Sequence, residues 1–281
     1  MTRVLLIGGS GRLGTAIRTK WSDCEIAAPP HDECDIADAG AVRSALDDFR
    51  PEVFVNAAAF HDVDRCEDEP RQAFAINTAA VGTAARYARD RGVVFVTIST
   101  DYVFDGDARE AYGEEHAPHP ISFYGVSKLA GEYLVESLHM GAYVVRTCGL
   151  YGTAGTPTRP SLIDRVLAWK PGDAPLRVVA DVVASPTFAG DLAEALRRLI
   201  ATESYGLYHA ANPGPVSWYE FAREAAHQAG HQTAIEPISV AQWKQRAARP
   251  HFSALHNAKL EALGIAMPSW QAGIAAYLRS R

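Results

Sequence analysis

Along the first half of the chain, short apolar runs alternate with longer segments in which apolar positions recur at helical spacing. Val4–Ile7 is an unbroken apolar run, and the segment from Leu13 to about Trp21 is helical. Glu25-Ile26-Ala27-Ala28 leads into two prolines as a short second strand, Ala41–Phe49 is helical, and Glu52–Asn56 is again strand. Gln72–Arg91 predicts one long helix, whereas Val93–Ser99 has the near-continuous apolarity of a strand buried on both faces. Tyr124–Leu138 predicts a further helix and Tyr143–Arg146 another central strand. This alternation predicts an α/β fold, a Rossmann-type, doubly wound parallel sheet wrapped by helices on both sides.

The pattern changes after Arg146. Turn-forming residues concentrate in G-L-Y-G-T-A-G-T-P-T-R-P at 149–160, which predicts an exit from the sheet domain into a smaller lobe. Leu176–Val179 and a helix from Asp191 to about Ile200 are expected to return to the sheet domain, and the remainder from Tyr205 consists of short elements suited to a lid. The expected division is therefore 1–150 plus about 176–204 for the sheet domain, with 151–175 and 205–281 forming a discontinuous α/β lobe.

Composition narrows the function classes. The 281 residues are 48 % hydrophobic and 21 % charged, the balance of a globular protein, and the net charge of −6 excludes a surface built to track nucleic-acid phosphates. No apolar run approaches the roughly 20 residues of a membrane span. Val4–Ile7 is too short for a signal-peptide core, so the expected setting is cytoplasmic, without a membrane partner. Cys24, Cys34, Cys66 and Cys148 are scattered and expected to be buried or half-buried thiols, and His227 and His231 to be surface histidines. No metal site is expected.

Candidate chemistry begins at Gly8-Gly9-Ser10-Gly11-Arg12-Leu13-Gly14, a G-x-x-G-x-x-G that follows a strand and opens a helix. Such a loop lets the backbone approach a pyrophosphate and places it at the positive end of a helix dipole. Gly8, Ser10, Gly11, Arg12, Leu13 and Gly14 are therefore candidate dinucleotide contacts. Asp35-Ile36 precedes a helix and offers a carboxylate to an adenine amino group, while Ala57-Ala58-Ala59 ends a strand with side chains small enough for a nucleotide to lie against. No acidic residue ends the second strand to hold a ribose 2′-hydroxyl, and Arg12 is available for a 2′-phosphate. This favours NADPH over NADH, with either admissible.

At the other end of the site, Tyr124 and Lys128 lie one helical turn apart, so both emerge on one face. A neighbouring ammonium favours the phenolate and is expected to lower the phenol pKa, letting Tyr124 exchange a proton near neutrality. Thr100 closes the apolar strand at its carboxyl end, where open α/β sheets bind ligands, and is placed to hydrogen-bond the oxygen that Tyr124 protonates.

Glycine loop, hydroxyl and Y-x-x-x-K in this order resemble extended short-chain dehydrogenase/reductases, and more closely the dTDP-4-dehydrorhamnose reductase family. The matching stretches cover essentially the whole chain: V-N-A-A-A at 55–59, V-D-R-C-E at 63–67, S-T-D-Y-V-F-D-G at 99–106 and Y-G-V-S-K-L-A-G-E at 124–132. Further matches are R-T-C-G-L-Y-G at 146–152, S-P-T at 185–187, G-L-Y-H at 206–209 and A-R-P-H-F-S-A-L at 248–255. The resemblance implies that Thr100, Tyr124 and Lys128 form a catalytic triad, that Tyr124 and Lys128 also meet the cofactor, and that Val63, Thr100, Asp101 and Tyr102 lie near a sugar nucleotide. The implied reaction is NAD(P)H-dependent reduction of a 4-keto sugar nucleotide, most closely dTDP-4-dehydrorhamnose to dTDP-rhamnose, by a monomer or homodimer. Three positions depart from the family pattern. Gly149 stands where a substrate-lining tryptophan is usual, Val182 follows Asp181 in place of glutamine, and Thr15-Ala16 replace a glutamate that helps some members dimerise through a metal. Two other readings share these motifs: an epimerase or dehydratase of the same superfamily, and a non-catalytic NADP-binding regulatory subunit. Tyr102 after Asp101, in place of a dehydratase's glutamate, weighs against the dehydratase, and an intact Thr100, Tyr124 and Lys128 weigh against the regulatory subunit.

Overall fold

The computed structural model describes residues 1–154, 160–243 and 245–281. Its elements are β1 (Arg3–Ile7), α1 (Arg12–Lys20), β2 (Glu25–Ala27), α2 (Ala39–Phe49), β3 (Val53–Asn56), α3 (Val63–Asp68), α4 (Pro70–Phe74), α5 (Val81–Arg89) and β4 (Val94–Thr100). The chain continues through α6 (Phe123–Leu138), β5 (Ala142–Thr147), α7 (Leu162–Ala168), β6 (Leu176–Val179), β7 (Val183–Ala184), α8 (Ala189–Ile200) and β8 (Gly206–His209). It closes with β9 (Val216–Ser217), α9 (Trp218–Gln228), β10 (Ile235–Ile238), α10 (Ala258–Ala262) and α11 (Trp270–Arg279).

Six strands form a parallel sheet in the order β2-β1-β3-β4-β5-β8. The two faces of β1 show why its run is apolar throughout. Val4 and Leu6 enter a core with Leu13 and Ile17 of α1, with Trp21 just past its end, and with Leu192, Leu196 and Leu199 of α8. Leu5 and Ile7 point the other way, to Val42 and Leu46 of α2 and to Val81, Ala84 and Ala88 of α5. Successive strand side chains alternate faces, and here both faces are covered. The α/β, doubly wound architecture expected from the sequence is the one observed.

Two expectations about the chain's course are corrected. Leu176–Val179 is a strand, but it pairs in parallel with Ile235–Ile238 in a separate two-stranded sheet and does not rejoin the main one. The sixth main-sheet strand is Gly206–His209, which the pattern placed in the lobe; it pairs with Tyr143–Arg146. Both strands are four residues long and mixed in polarity, so periodicity carried no information about their partners. α8 does pack on the sheet domain, against α1. The single helix expected over 72–91 runs as α4 and α5 joined by a π-helical turn, Ala75–Ala80. Of the expected exit stretch at 149–160, residues 155–159 lie outside the described residues.

The smaller lobe has its own core, in which Ile163 and Val166 of α7, Val178 of β6, Phe221 and Ala225 of α9 and Ile274 and Tyr277 of α11 gather around Tyr151. Cys34, Cys66 and Cys148 are buried and Cys24 is half-buried, all as free thiols. Among the described residues no helix is long and apolar enough to cross a membrane.

Candidate active site

The main sheet reverses direction of strand order at β1, which has β2 on one side and β3 on the other, and such a switch point opens a crevice at the carboxyl ends of the strands. Gly8 follows β1 there and Ala57–Ala59 follow β3. Gly8 has φ +85°, and a Cβ on it would lie 2.8 Å from the Ala57 carbonyl carbon and the Ala58 nitrogen, so the two segments are in backbone contact. A Cβ on Gly14 would lie 2.3 Å from the Gly8 carbonyl oxygen, which requires glycine for the helix to sit this close. Between them Gly11 starts α1 without any side-chain cap, and no acidic residue occupies the first turn. By contrast Asp38, Ser122, Ser161, Ser217 and Ser269 cap their helices with side-chain oxygens. An uncapped, positively polarised helix end behind a glycine turn fits a dinucleotide pyrophosphate. Leu13 is buried in the sheet core, so only its backbone faces this crevice, while the Ser10 side chain is exposed.

Asp35 lies in the β2–α2 loop at the same edge, where Oδ1 accepts from the Ala37 N–H at 2.9 Å, and Ile36 is buried in the core. Arg12 turns the other way. Its guanidinium is 4.0 Å from Asp164 of α7, and it lines a small cleft with Thr153 and Phe188. The reading of Arg12 as a 2′-phosphate contact thereby loses its geometric basis, because the ribose of a dinucleotide lies toward the end of β2.

A hydrogen bond joins the side chains of Thr100 and Tyr124, and Lys128 follows one turn on along the same helix. Ser122 caps α6 by accepting from the Gly125 N–H at 3.2 Å, which starts the helix immediately before Tyr124. The Lys128 ammonium is buried and donates to the Ile98 carbonyl at 2.6 Å; loss of water lowers its pKa to about 8, partly offset by the Glu132 carboxylate. The Tyr124 phenol is not lowered as its lysine neighbour led us to expect. Burial pushes it up, a hydrogen bond with Thr100 works against that, and the Asp101 charge adds to the rise. Tyr124 therefore holds its proton at neutral pH, which suits a donor. The Thr100 hydroxyl donates to Asp101 Oδ1 at 3.1 Å and accepts from the Tyr102 N–H at 3.2 Å.

Asp101 is directed inward, only 3 % exposed. Its Oδ2 accepts from Ser253 Oγ at 2.6 Å and Cys148 Sγ at 3.1 Å, and burial raises its pKa. It is thus placed to orient Thr100, and Tyr102 is the residue of this pair that borders open space. The Tyr102 ring meets Tyr124 edge-on at 5.7 Å and lines a cavity of about 370 Å³ together with Gly149, Trp218, Arg165, Arg177 and Arg249. No carboxylate lines that cavity among the described residues. Val63 begins α3 and is half-buried.

Several residues with structural work to do at the site carried no local signal. Asn77, in the π-helical turn, donates to Ser127 Oγ at 3.0 Å and the Phe60 carbonyl at 2.9 Å, tying the catalytic helix to the loop after β3. Beneath α6, Glu132 receives the Arg146 guanidinium bidentately and also accepts from Ser99. The A-R-P-H-F-S-A-L stretch lies across the site as a strap: Arg249 pairs with Asp64 at 3.0 Å, Gly106 abuts Pro250 and His251, and Ser253 holds Asp101. Its proximity to D-R-C-E and S-T-D-Y could not be read from residues 185 and 152 positions apart.

A model of one protein family, the RmlD substrate binding domain, matches residues 1–281. The chain belongs to that family. Among relatives of this RmlD-family chain, the spore coat polysaccharide biosynthesis protein SpsK of Bacillus subtilis is 34 % identical and covers 100 % of this chain and 98 % of its own length. A dTDP-4-dehydrorhamnose reductase of Sinorhizobium fredii is 34 % identical over 96 % of this chain and 94 % of its own. The crystal structure of the Bacillus anthracis dTDP-4-dehydrorhamnose reductase in complex with NADP superposes with a TM-score of 0.95 at 33 % identity, covering 100 % of this chain and 99 % of that one. The RmlD-family chain is accordingly an oxidoreductase of the dTDP-4-dehydrorhamnose reductase type, in a family of sugar-nucleotide 4-keto reductases.

Proposed function

We propose that the chain reduces the 4-keto group of dTDP-4-dehydrorhamnose to give dTDP-rhamnose, with NADPH as reductant, Tyr124 as proton donor and Lys128 and Thr100 as its partners. The observation that carries this reading is the edge-on contact of Tyr102 with Tyr124, which joins the proton donor to a cavity bordered by aromatic rings and three arginines. A nucleoside diphosphate suits such a cavity, because guanidinium groups match phosphate oxygens and the lining holds no carboxylate, the Asp64 partner of Arg249 lying outside it. The nicotinamide, when bound, supplies the hydride, and the protein positions the ketone and its proton.

In this reading Gly8, Gly11 and Gly14 admit the pyrophosphate and the Ala57–Ala59 segment flanks the nucleotide. Lys128 meets the nicotinamide ribose with the N–H groups not directed at Ile98. Tyr124 transfers its proton to the oxygen as the carbonyl carbon is reduced, and Thr100, steadied by Asp101, fixes that oxygen's place. The sheet domain thus takes the cofactor and the cavity of the smaller lobe takes the sugar nucleotide. NADPH is favoured by the NADP bound to the Bacillus anthracis relative and by β2 ending in Ala27 and Ala28, with no carboxylate to repel a 2′-phosphate. The test is NADPH oxidation followed with dTDP-4-dehydrorhamnose beside other 4-keto sugar nucleotides. Preferred turnover of a different sugar nucleotide would replace the substrate, and preferred use of NADH would replace the cofactor.

A further inference from the structure

Gly149 is two residues beyond Thr147, and Thr147 pairs in register with Thr100 on the neighbouring strand. The chain at 149 therefore runs past the carboxyl end of β5, the strand neighbouring the one that ends in Thr100. Gly149 has φ +52°, and a Cβ there would lie 2.6 Å from Cη2 of Trp218 and 3.3 Å from the Pro186 Cα. The rim of the Trp218 indole thus occupies the space that any side chain at 149 would need.

Trp218 comes from the opposite side of the cleft, as the first residue of α9, and is held there from several directions. Ser217 and Glu220 close a capping box around the helix start, and the Trp218 N–H donates to the Val182 carbonyl at 3.3 Å. Phe221 braces the indole edge-on at 6.1 Å. The ring packs between the lobe core and the cluster beneath the catalytic loop, is half-buried, and presents its remaining surface to the cavity shared with Tyr102 and Gly149.

We infer that the Trp218 indole, laid over Gly149, is the wall against which the sugar ring of the substrate rests, so that the pair sets sugar specificity. The inference builds on the sugar-nucleotide reading above. Position decides which part of the ligand meets the ring: the segment leaving the strand next to that of Thr100 borders the reacting carbon, which belongs to the sugar and not to the base. Chemistry agrees, because the C–H face of a hexose and a C6 methyl are apolar and pack on an aromatic face.

The test is calorimetry on NADP⁺-loaded enzyme with dTDP and with dTDP-glucose, each variant first checked by thermal melting. Wild type is expected to bind dTDP-glucose about tenfold more tightly than dTDP, the scale of one aromatic contact. Trp218→Ala should bring the two affinities to within about twofold while leaving that for dTDP unchanged, and Trp218→Phe should keep most of the sugar's advantage. Gly149→Ala, which displaces the indole, should mimic Trp218→Ala, and the double variant should be no weaker than Trp218→Ala alone. Parallel loss for dTDP and dTDP-glucose would overturn the inference, since the ring would then face the nucleotide or serve only the fold. A sugar advantage that survives Trp218→Ala would overturn it as well. Wild-type binding without reduction of any 4-keto sugar would defeat the reductase reading alone, whereas absence of binding by either ligand would defeat both.

Discussion

Tyr124 and Lys128 sit one turn apart, yet burial drives their titrations away from one another, the phenol up and the ammonium down to about 8. The phenol enters the reaction already protonated, and Tyr124→Phe should keep the ring's packing and the NADPH affinity while turnover falls by about 10²–10⁴-fold, measured by steady-state kinetics beside calorimetry. Retained turnover would remove Tyr124 as the donor. Lys128 makes a pH-dependent claim with opposite signs for rate and stability. Its charge is lost as pH rises through about 8, so kcat/KM should decline on that alkaline limb, and Lys128→Arg, which stays charged, should carry the limb to higher pH. The unfolded chain binds the lysine proton up to its ordinary value of 10.5, whereas the fold releases it near 8. Stability of the cofactor-free protein should therefore rise with pH across that window while activity falls, which urea titrations at several pH values would show.

Among the elements, the catalytic helix α6 is held to the sheet by charge as well as by packing. Glu132 and Arg146 are buried together, at 3 % exposure each, with Ser99 donating to the carboxylate from β4. Removing one partner leaves an uncompensated buried charge, so Arg146→Met should cost about 3–5 kcal/mol in denaturant unfolding. The same arginine faces His209 of β8, whose Nε2 is 3.5 Å from the guanidinium while Nδ1 donates to the Tyr112 and His256 carbonyls. Burial and Arg146 lower the His209 pKa from 6.5 to about 3. The unfolded chain takes up this proton first, so His209 contributes stability above about pH 6.5 that is lost as pH falls toward 3. β8 shows why such contacts escaped local reading. G-L-Y-H is short and mixed in polarity, and its identity as a sheet strand came from its pairing with β5.

Across the whole molecule, the cofactor loop and the substrate lobe are connected by Arg12 and Asp164, and Asp164 also accepts from the Tyr277 hydroxyl of α11 at 2.5 Å. Since Arg12 faces the lobe, Arg12→Ala should change NADPH and NADH affinities alike; selective loss of NADPH, read by calorimetry, would return Arg12 to the 2′-phosphate. Gly11→Glu should abolish binding of both, because its carboxylate would fill the pyrophosphate space and repel it, and unchanged affinity would take the glycine loop out of the cofactor site.

The local features were legible because their physics is local. An apolar run long enough for one strand, glycines at a strand–helix turn, and two side chains one helical turn apart each carry their meaning within a few residues, so the doubly wound sheet and the placement of Tyr124 and Lys128 on one helix followed from the sequence. Long-range pairing carries no such mark. That Leu176–Val179 pairs with Ile235–Ile238, that Asp101 turns inward to Ser253 and Cys148, and that the missing side chain at Gly149 is answered by Trp218 were decided only by tertiary structure. In each case the partner is set by which surfaces the fold brings into contact, and close packing lets only one of two neighbouring groups occupy a given space.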